Sequence, residues 1–193
     1  MARALVSRLS DKDEYTGWHS QNVAKLMYEL ADDMGFDTKY KEEALVAGLV
    51  HDIGKVKIPP YILNKPGVLT TVEYKIIKAH PEFGVRILGR FGSFDKILDA
   101  IRHHHERYDG KGYPDGREGT DIPLFSRMLA ICDTFDAMTS KRCYRPPHEA
   151  EEALAELELC AGTQFDPEIS QQFICMMGSS CLGQNYYNYK KGR

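Results

Sequence analysis

The sequence lacks what would carry it into a membrane, an oxidising compartment or a nucleic-acid complex. No apolar run approaches the ~18 residues of a membrane span, and residues 1–10 lack the apolar stretch of a signal peptide. These absences predict a cytoplasmic protein with no membrane span. Its 5 cysteines (Cys132, Cys143, Cys160, Cys175, Cys181) are odd in number, scattered, and form no C-x-x-C pair. That pattern argues against a disulfide framework or a zinc knuckle and fits reduced thiols. Lys and Arg total 25 against 28 Asp and Glu, a net charge of −3, so no DNA or RNA partner is predicted and any basic face must be local. Alternation long enough for a β-sheet is missing too, as is any internal repeat.

What remains reads as helix. At 193 residues, 42% hydrophobic and 27% charged, the chain suits one domain with a substantial core. Val23, Leu26, Met27, Leu30, Ala31 and Met34 recur at helical spacing and predict an amphipathic helix ending near Gly35. A more apolar helix is expected over about residues 41–52, stopped by Gly54 and Pro59-Pro60. Residues 57–69, rich in proline, read as a loop. Thr70-Thr71-Val72-Glu73 is a capping-box pattern opening a helix towards His80. Pro81 punctuates, and the next helix carries Val85, Ile87 and Leu88. Ser93 would cap a helix over 94–104, and Gly110, Gly112, Pro114, Gly116 and Gly119 make 106–121 an irregular loop. Further helices are expected over 123–140, with Pro123 in the first turn, over 149–159, and from Asp166-Pro167 to near Gly178. Residues 184–193 read as a frayed tail. The expected fold class is all-α, a single-domain helical bundle spanning residues 1–193.

The histidines are concentrated. His19, His51, His80, His103, His104 and His105 lie at or just after expected helix ends, while His148 is read as solvent-exposed. Asp52, Asp109, Asp133 and Asp136 accompany them. In Val50-His51-Asp52-Ile53-Gly54-Lys55 an imidazole sits beside a carboxylate at the end of an apolar helix. That pair is either a satisfied polar cap or a metal site in which Asp52 bridges two ions. Imidazoles with bridging carboxylates and no thiolate suit six-coordinate iron or manganese better than structural zinc. Two ions about 3.5–4 Å apart can clamp a phosphate and hold a hydroxide nucleophile at neutral pH. Adjacent helical residues point about 100° apart, so His104 and His105 can share an ion only where a helix ends or bends. His103 is read as a surface or supporting residue. Glu106 is either a tether for a ligand imidazole or a cap for the loop, and Cys132 is a small buried hydrophobe.

Joined in order, these pieces resemble a known family. His51-Asp52-x-x-Lys55, followed by His104-His105-Glu106-x-x-Asp109-Gly110-x-Gly112-Tyr113-Pro114, is similar to the HD-GYP domains, cyclic-dinucleotide phosphodiesterases of the HD superfamily. The likeness extends upstream through Tyr15-Thr16-x-x-His19-Ser20 and, between the two motifs, through His80-Pro81. Downstream it takes in Asp133-x-x-Asp136-Ala137-Met138-Thr139, Arg142-x-Tyr144-Arg145 and Gly162-Thr163-Gln164-Phe165-Asp166-Pro167, covering about residues 10–175. It implies a bundle of the HD-domain type with a metal site among the helices. His51, Asp52 and Asp133 would hold one ion, with His19 nearby as a further ligand. His80, His104 and His105 would hold the second, and Asp52 would bridge. Lys55 would meet a phosphate oxygen or developing charge. Gly112 and Tyr113 would shape the loop beside a guanine base, with Arg142 and Arg145 on phosphates. Without the motif, Lys141, Arg142 and Arg145 read as an ordinary solvated cluster and Tyr113 as a packing residue. Members that bind three metals have a glutamate four residues before the first histidine. Here that position is Tyr15, and Glu14 is displaced by one residue, about 100° on a helix. A pair of divalent ions, Fe(II) or Mn(II), is therefore expected.

The implied function is hydrolysis of cyclic di-GMP to pGpG, or further to GMP, by in-line attack of a hydroxide held between the ions, with Asp52 and Lys55 as catalytic residues. Two alternatives stand beside it. One is a module that binds the dinucleotide or a GGDEF-type partner without turnover. The other is an HD phosphohydrolase acting on another nucleotide, such as cyclic GMP-AMP. Family members usually carry a receiver or sensory domain ahead of the catalytic one, so the chain is either a free-standing enzyme or an excised domain. A homodimer is compatible with the sequence, though no clean heptad supports one.

Overall fold

The structure, a computed structural model, describes residues 14–90, 95–140 and 147–179, with side chains from 18 to 178 within those ranges. The expectations placed on Ser93, Arg142, Arg145 and the 184–193 tail fall outside the described residues, as does the side chain of Tyr15. The helices are α1 (Glu14–Asp33), α2 (Thr38–Val50), α3 (Pro60–Leu63), α4 (Thr71–Ile77), α5 (His80–Leu88), α6 (Asp95–His103), α7 (Leu124–Thr139), α8 (Ala150–Leu159) and α9 (Pro167–Ser179). Among the described residues there is no strand, only an isolated bridge between Ala161 and Phe165. No helix in the described residues is long and apolar enough to cross a membrane.

The α1 face read from periodicity is the core face: Val23, Leu26, Met27, Leu30 and Ala31 are fully buried. Gly35, at φ 78, ends that helix, and the Asp37 side chain caps α2 by accepting from the Tyr40 N–H at 2.8 Å. The two helices then cross with backbones in contact, since a Cβ at Gly48 would stand 2.6 Å from Ala24 Cα. α7 runs through the middle and packs against α1, α2, α6, α8 and α9. Its Met128, Leu129, Ile131, Cys132 and Phe135 are fully buried, so Cys132 is the packing residue it was expected to be. The T-x-x-E capping box forms as expected: Glu73 N–H donates to Thr70 Oγ1 at 3.3 Å, and Thr70 N–H to Glu73 Oε2 at 2.7 Å. Asp166 Oδ1 caps α9 by accepting from the N–H groups of Glu168 and Ile169.

Three boundaries differ from expectation. α2 stops at Val50, so His51 and Asp52 lie in a turn, followed by a 3₁₀ segment, Ile53–Lys57. The cause is tertiary. A Cβ at Gly54 would land on the His80 carbonyl oxygen and crowd the Gly84 nitrogen, so the turn lies directly on the backbone of α5. The proline-rich loop contains a helical turn, α3, because Pro60 takes its first position, where a missing N–H costs nothing. Pro123 caps α7 and does not enter its first turn.

Gly54→Ala should lower stability by ~2–3 kcal/mol in urea denaturation, because rigid backbone cannot yield to the new methyl. Gly178→Ala, where nothing lies within 4 Å of the added Cβ, should be neutral or slightly stabilising.

Candidate metal centre

One helix and three helix ends place the histidines. His19 lies on α1, and Asp133 and Asp136 lie one turn apart on α7. His51 and Asp52 follow the C-terminus of α2, His80 opens α5, and α6 ends at His103. The end of α6 frees His104 and His105 from helical geometry, which is the condition for both to turn the same way. Their ring centroids are 4.0 Å apart. The ligand atoms of His19, His51 and Asp133 lie within 4.8 Å of one another, and so do those of His80, His104 and His105. Asp52 stands between the two groups. Its Oδ2 is 3.4 Å from His51 Nε2 and its Oδ1 is 3.3 Å from His80 Nε2. His51 and His104, with centroids 5.4 Å apart, close the chain of rings across the centre.

The imidazoles are oriented by backbone. His51 Nδ1 meets Gly48 O at 2.8 Å, His80 Nδ1 meets Ile77 O at 2.8 Å, and His104 Nδ1 meets Ile101 O at 2.6 Å. Each carbonyl can only accept, so Nδ1 carries the proton and Nε2 presents its lone pair to the interior. His19 is set differently: Asp136 Oδ2 takes its Nδ1–H at 2.7 Å, leaving Nε2 3.0 Å from Asp133 Oδ1. Asn22 and Ser140 in turn donate to Asp136. His105 is positioned by stacking on Tyr113, with centroids 4.9 Å apart and planes 25° apart.

This donor set fits divalent cations. His80 Nε2 and His104 Nε2 face each other at 3.3 Å, and with each Nδ1 donating to a backbone carbonyl, Nε2 is the ring nitrogen turned to a shared ligand. His51 Nε2 and Asp52 Oδ1 are buried without a hydrogen-bond partner. Uncompensated lone pairs of this kind are costly unless a cation takes them. Protonation favours the same use. Burial, together with the neighbouring His80, pushes His105 down to about 3, and burial with His105 and His80 holds His104 well below the usual histidine range. Burial alone would raise Asp52, but Lys55 and His51 outweigh it and keep the carboxylate ionised. Burial opposes a charge on His19 too, yet hydrogen bonds to Asp133 and Asp136 raise it to about 10. The proton between His19 and Asp133 marks a place where positive charge is stabilised.

Other expectations are corrected. Asp109 lies outside the cluster; Arg107 and the Lys111 N–H hold it. His103 is neither a surface residue nor in either group of three. It is buried, with Nδ1 on Asp99 O at 2.9 Å and Nε2 on Asp115 Oδ2 at 2.9 Å. Arg102 grips the same carboxylate with two hydrogen bonds. Of the two readings of Glu106 the loop cap is the one found, Oε1 accepting from the Asp115 and Gly116 N–H groups. At Gly112 the close approach is to the loop's own backbone, since a Cβ would strike Glu106 and Arg107. His148 is half-buried and bonds Glu152, so it is not the exposed residue expected. The parts the sequence left without roles were Asp136, legible from its i, i+3 spacing to Asp133, and Asp115, whose partners no spacing reveals.

This helical bundle gathers imidazoles and carboxylates, from three helix ends and from within α1 and α7, around a central aspartate, an arrangement suited to holding divalent ions. The chain belongs to the HD domain family, which matches residues 3–169. It is 42% identical over 183 residues to a cyclic di-GMP phosphodiesterase of Pseudomonas aeruginosa, covering 93% of this chain and 44% of that protein. It is 40% identical over 173 residues to a cyclic di-GMP phosphodiesterase of Thermotoga maritima, covering 88% and 47%. A 3'3'-cGAMP-specific phosphodiesterase of Vibrio cholerae is 37% identical over 88% of this chain and 33% of its own length. The chain thus spans less than half the length of these relatives. Among solved structures, the HD domain of the L. monocytogenes phosphodiesterase PgpH in complex with cyclic-di-AMP superposes with a TM-score of 0.64 at 22% identity, covering 90% of this chain and 92% of that one. At that identity the match speaks for the fold, and the HD-type helical bundle expected from the sequence is found.

Asp115 is held down to about 2 by Arg102 and His103, so its share of stability is complete above the ordinary aspartate range and lost as pH falls through about 2. Asp115→Asn should therefore lower the urea midpoint at pH 7, and the gap to wild type should narrow steadily below pH ~4.

Proposed function

We propose that this chain is a metal-dependent phosphodiesterase domain that hydrolyses cyclic di-GMP to pGpG, with GMP as the further product. The observation that carries the reading is the placement of Asp52, whose two carboxylate oxygens face two separate ligand groups. The names of the relatives supply the substrate class. A second reading, cyclic GMP-AMP as substrate, is favoured by the Vibrio relative.

In this reading His19, His51 and Asp133 would hold one divalent ion and His80, His104 and His105 the other, with Asp52 placed between the two groups. The mixed imidazole–carboxylate set suits Fe(II) or Mn(II). When bound, the ions supply Lewis acidity for the phosphate and activation of water. The chain's own groups do the rest. Lys55 keeps Asp52 ionised through their ion pair, and its partly exposed ammonium would meet a phosphate oxygen of the substrate. Asp136 holds His19 in the tautomer that turns Nε2 inward. Tyr113 covers one face of His105 and, with Gly112, shapes the wall that meets a base. Arg142 and Arg145 complete the phosphate contacts.

Protein reconstituted with Mn(II) or Fe(II) under reducing conditions should convert cyclic di-GMP to pGpG or GMP by chromatography and contain two ions per chain by elemental analysis. Asp52→Asn should lose more than ~100-fold in turnover and one or both ions. An absence of product in metal-replete protein would reject the enzymatic reading, and close to three ions per chain would reject the two-ion site.

A further inference from the structure

Lys78 has no part in the site as described so far. It follows the last residue of α4, two positions before His80. Its Nζ lies 4.8 Å from the centroid of the Tyr74 ring and 4.7 Å from that of Tyr113, so two phenol rings hold the ammonium. Tyr113 is the ring stacked on His105, which places this cation beside the histidine cluster. Lys78 is half-buried, and Tyr74 leaves 49% of its surface exposed. Among the described residues no carboxylate pairs with Lys78, whereas Lys55, Lys65 and Lys96 each have one.

Ring quadrupoles attract and position a cation but do not neutralise it. A lysine that is partly desolvated, held at a fixed place and left without a counter-ion is a receptor for an anionic oxygen. The proposed substrate has such an oxygen to spare. A cyclic dinucleotide carries two phosphodiester charges, and only one of them can occupy the metal centre in a given turnover. Resting on the phosphodiesterase reading, we infer that Lys78 is a substrate-binding residue. It takes a non-bridging oxygen of the phosphodiester that is not being cleaved, with Tyr74 and Tyr113 as its positioning residues.

The test compares wild type, Lys78→Met and Lys78→Arg as metal-loaded chains on two substrates. These are cyclic di-GMP and bis(p-nitrophenyl) phosphate, a diester with a single charge and no second phosphate. Lys78→Met keeps the length and apolar contact of the side chain but removes the charge. It should raise KM for cyclic di-GMP ~10-fold, leave kcat within ~2-fold and flatten the salt dependence of KM. Lys78→Arg should restore most of the loss. The effect on the small diester should be at least ~5-fold smaller, because that substrate offers no second anion. Equal losses on both substrates would overturn the inference, since the residue would then act only by holding Tyr113 and its loop. An unchanged KM for cyclic di-GMP overturns it as well. Should wild type cleave the small diester and leave cyclic di-GMP intact, the proposed substrate fails. Equilibrium binding of cyclic di-GMP then decides the fate of Lys78: a ~10-fold weaker Kd in Lys78→Met sustains it, and an equal or undetectable affinity removes it.

Discussion

A carboxylate taken out of water must be surrounded by positive charge or polar hydrogens, and Asp52 is buried in the turn after α2, just before the 3₁₀ segment that packs on α5. The environment that makes this tolerable is the site itself. Lys55 pairs with one oxygen, His51 and His80 approach from opposite sides, and the rings of His104 and His105 pack behind them. Gly54 is part of the same arrangement, because the turn carrying Asp52 reaches His80 only where no side chain intervenes. Backbone contact between two elements and the spacing of the ligand groups are one constraint.

Helix C-termini supply much of the remaining order. The last carbonyls of a helix have no partner within it. In this protein three of them are used to aim imidazoles: Gly48 near the end of α2, Ile77 at the end of α4 and Ile101 near the end of α6. One device thus satisfies an orphan acceptor, selects a tautomer and turns Nε2 inward. The negative ends of these helices also favour the positive charge that the centre is built to hold. His19, which lies within a helix, has no such carbonyl to use and relies on Asp136.

The glycine-rich loop after the paired histidines is fastened from two sides. Arg102, His103 and Glu106 hold it at Asp115 and Gly116. On the other side the Tyr108 and Asp109 N–H groups donate to the Gln164 and Thr163 carbonyls, so the segment before α9 serves as a strut for the loop. Arg127 braces that strut through Asp166. Tyr113 is therefore presented to His105 by a frame whose parts lie in four stretches of the chain.

Periodicity, capping patterns and helix-breaking residues determined the helices, their order and the all-α class, because these depend on neighbours within a turn or two. The histidines and Asp52 were legible as a group from their joint spacing, as was the likeness to the HD-GYP domains. Which side chains become partners was not legible. Asp109 lay within the motif yet turned to Arg107, and His103 read as superfluous because its partner, Asp115, is twelve residues further on. The last turn of α2 was misplaced because its end is decided by contact with α5. Only half of the setting of Lys78 is local, since Tyr74 lies one helical turn before it while Tyr113 comes from the distant loop. Side-chain type and local spacing belong to the sequence; which lone pairs face one another, and which charges are left without a partner, arise only when the helices pack.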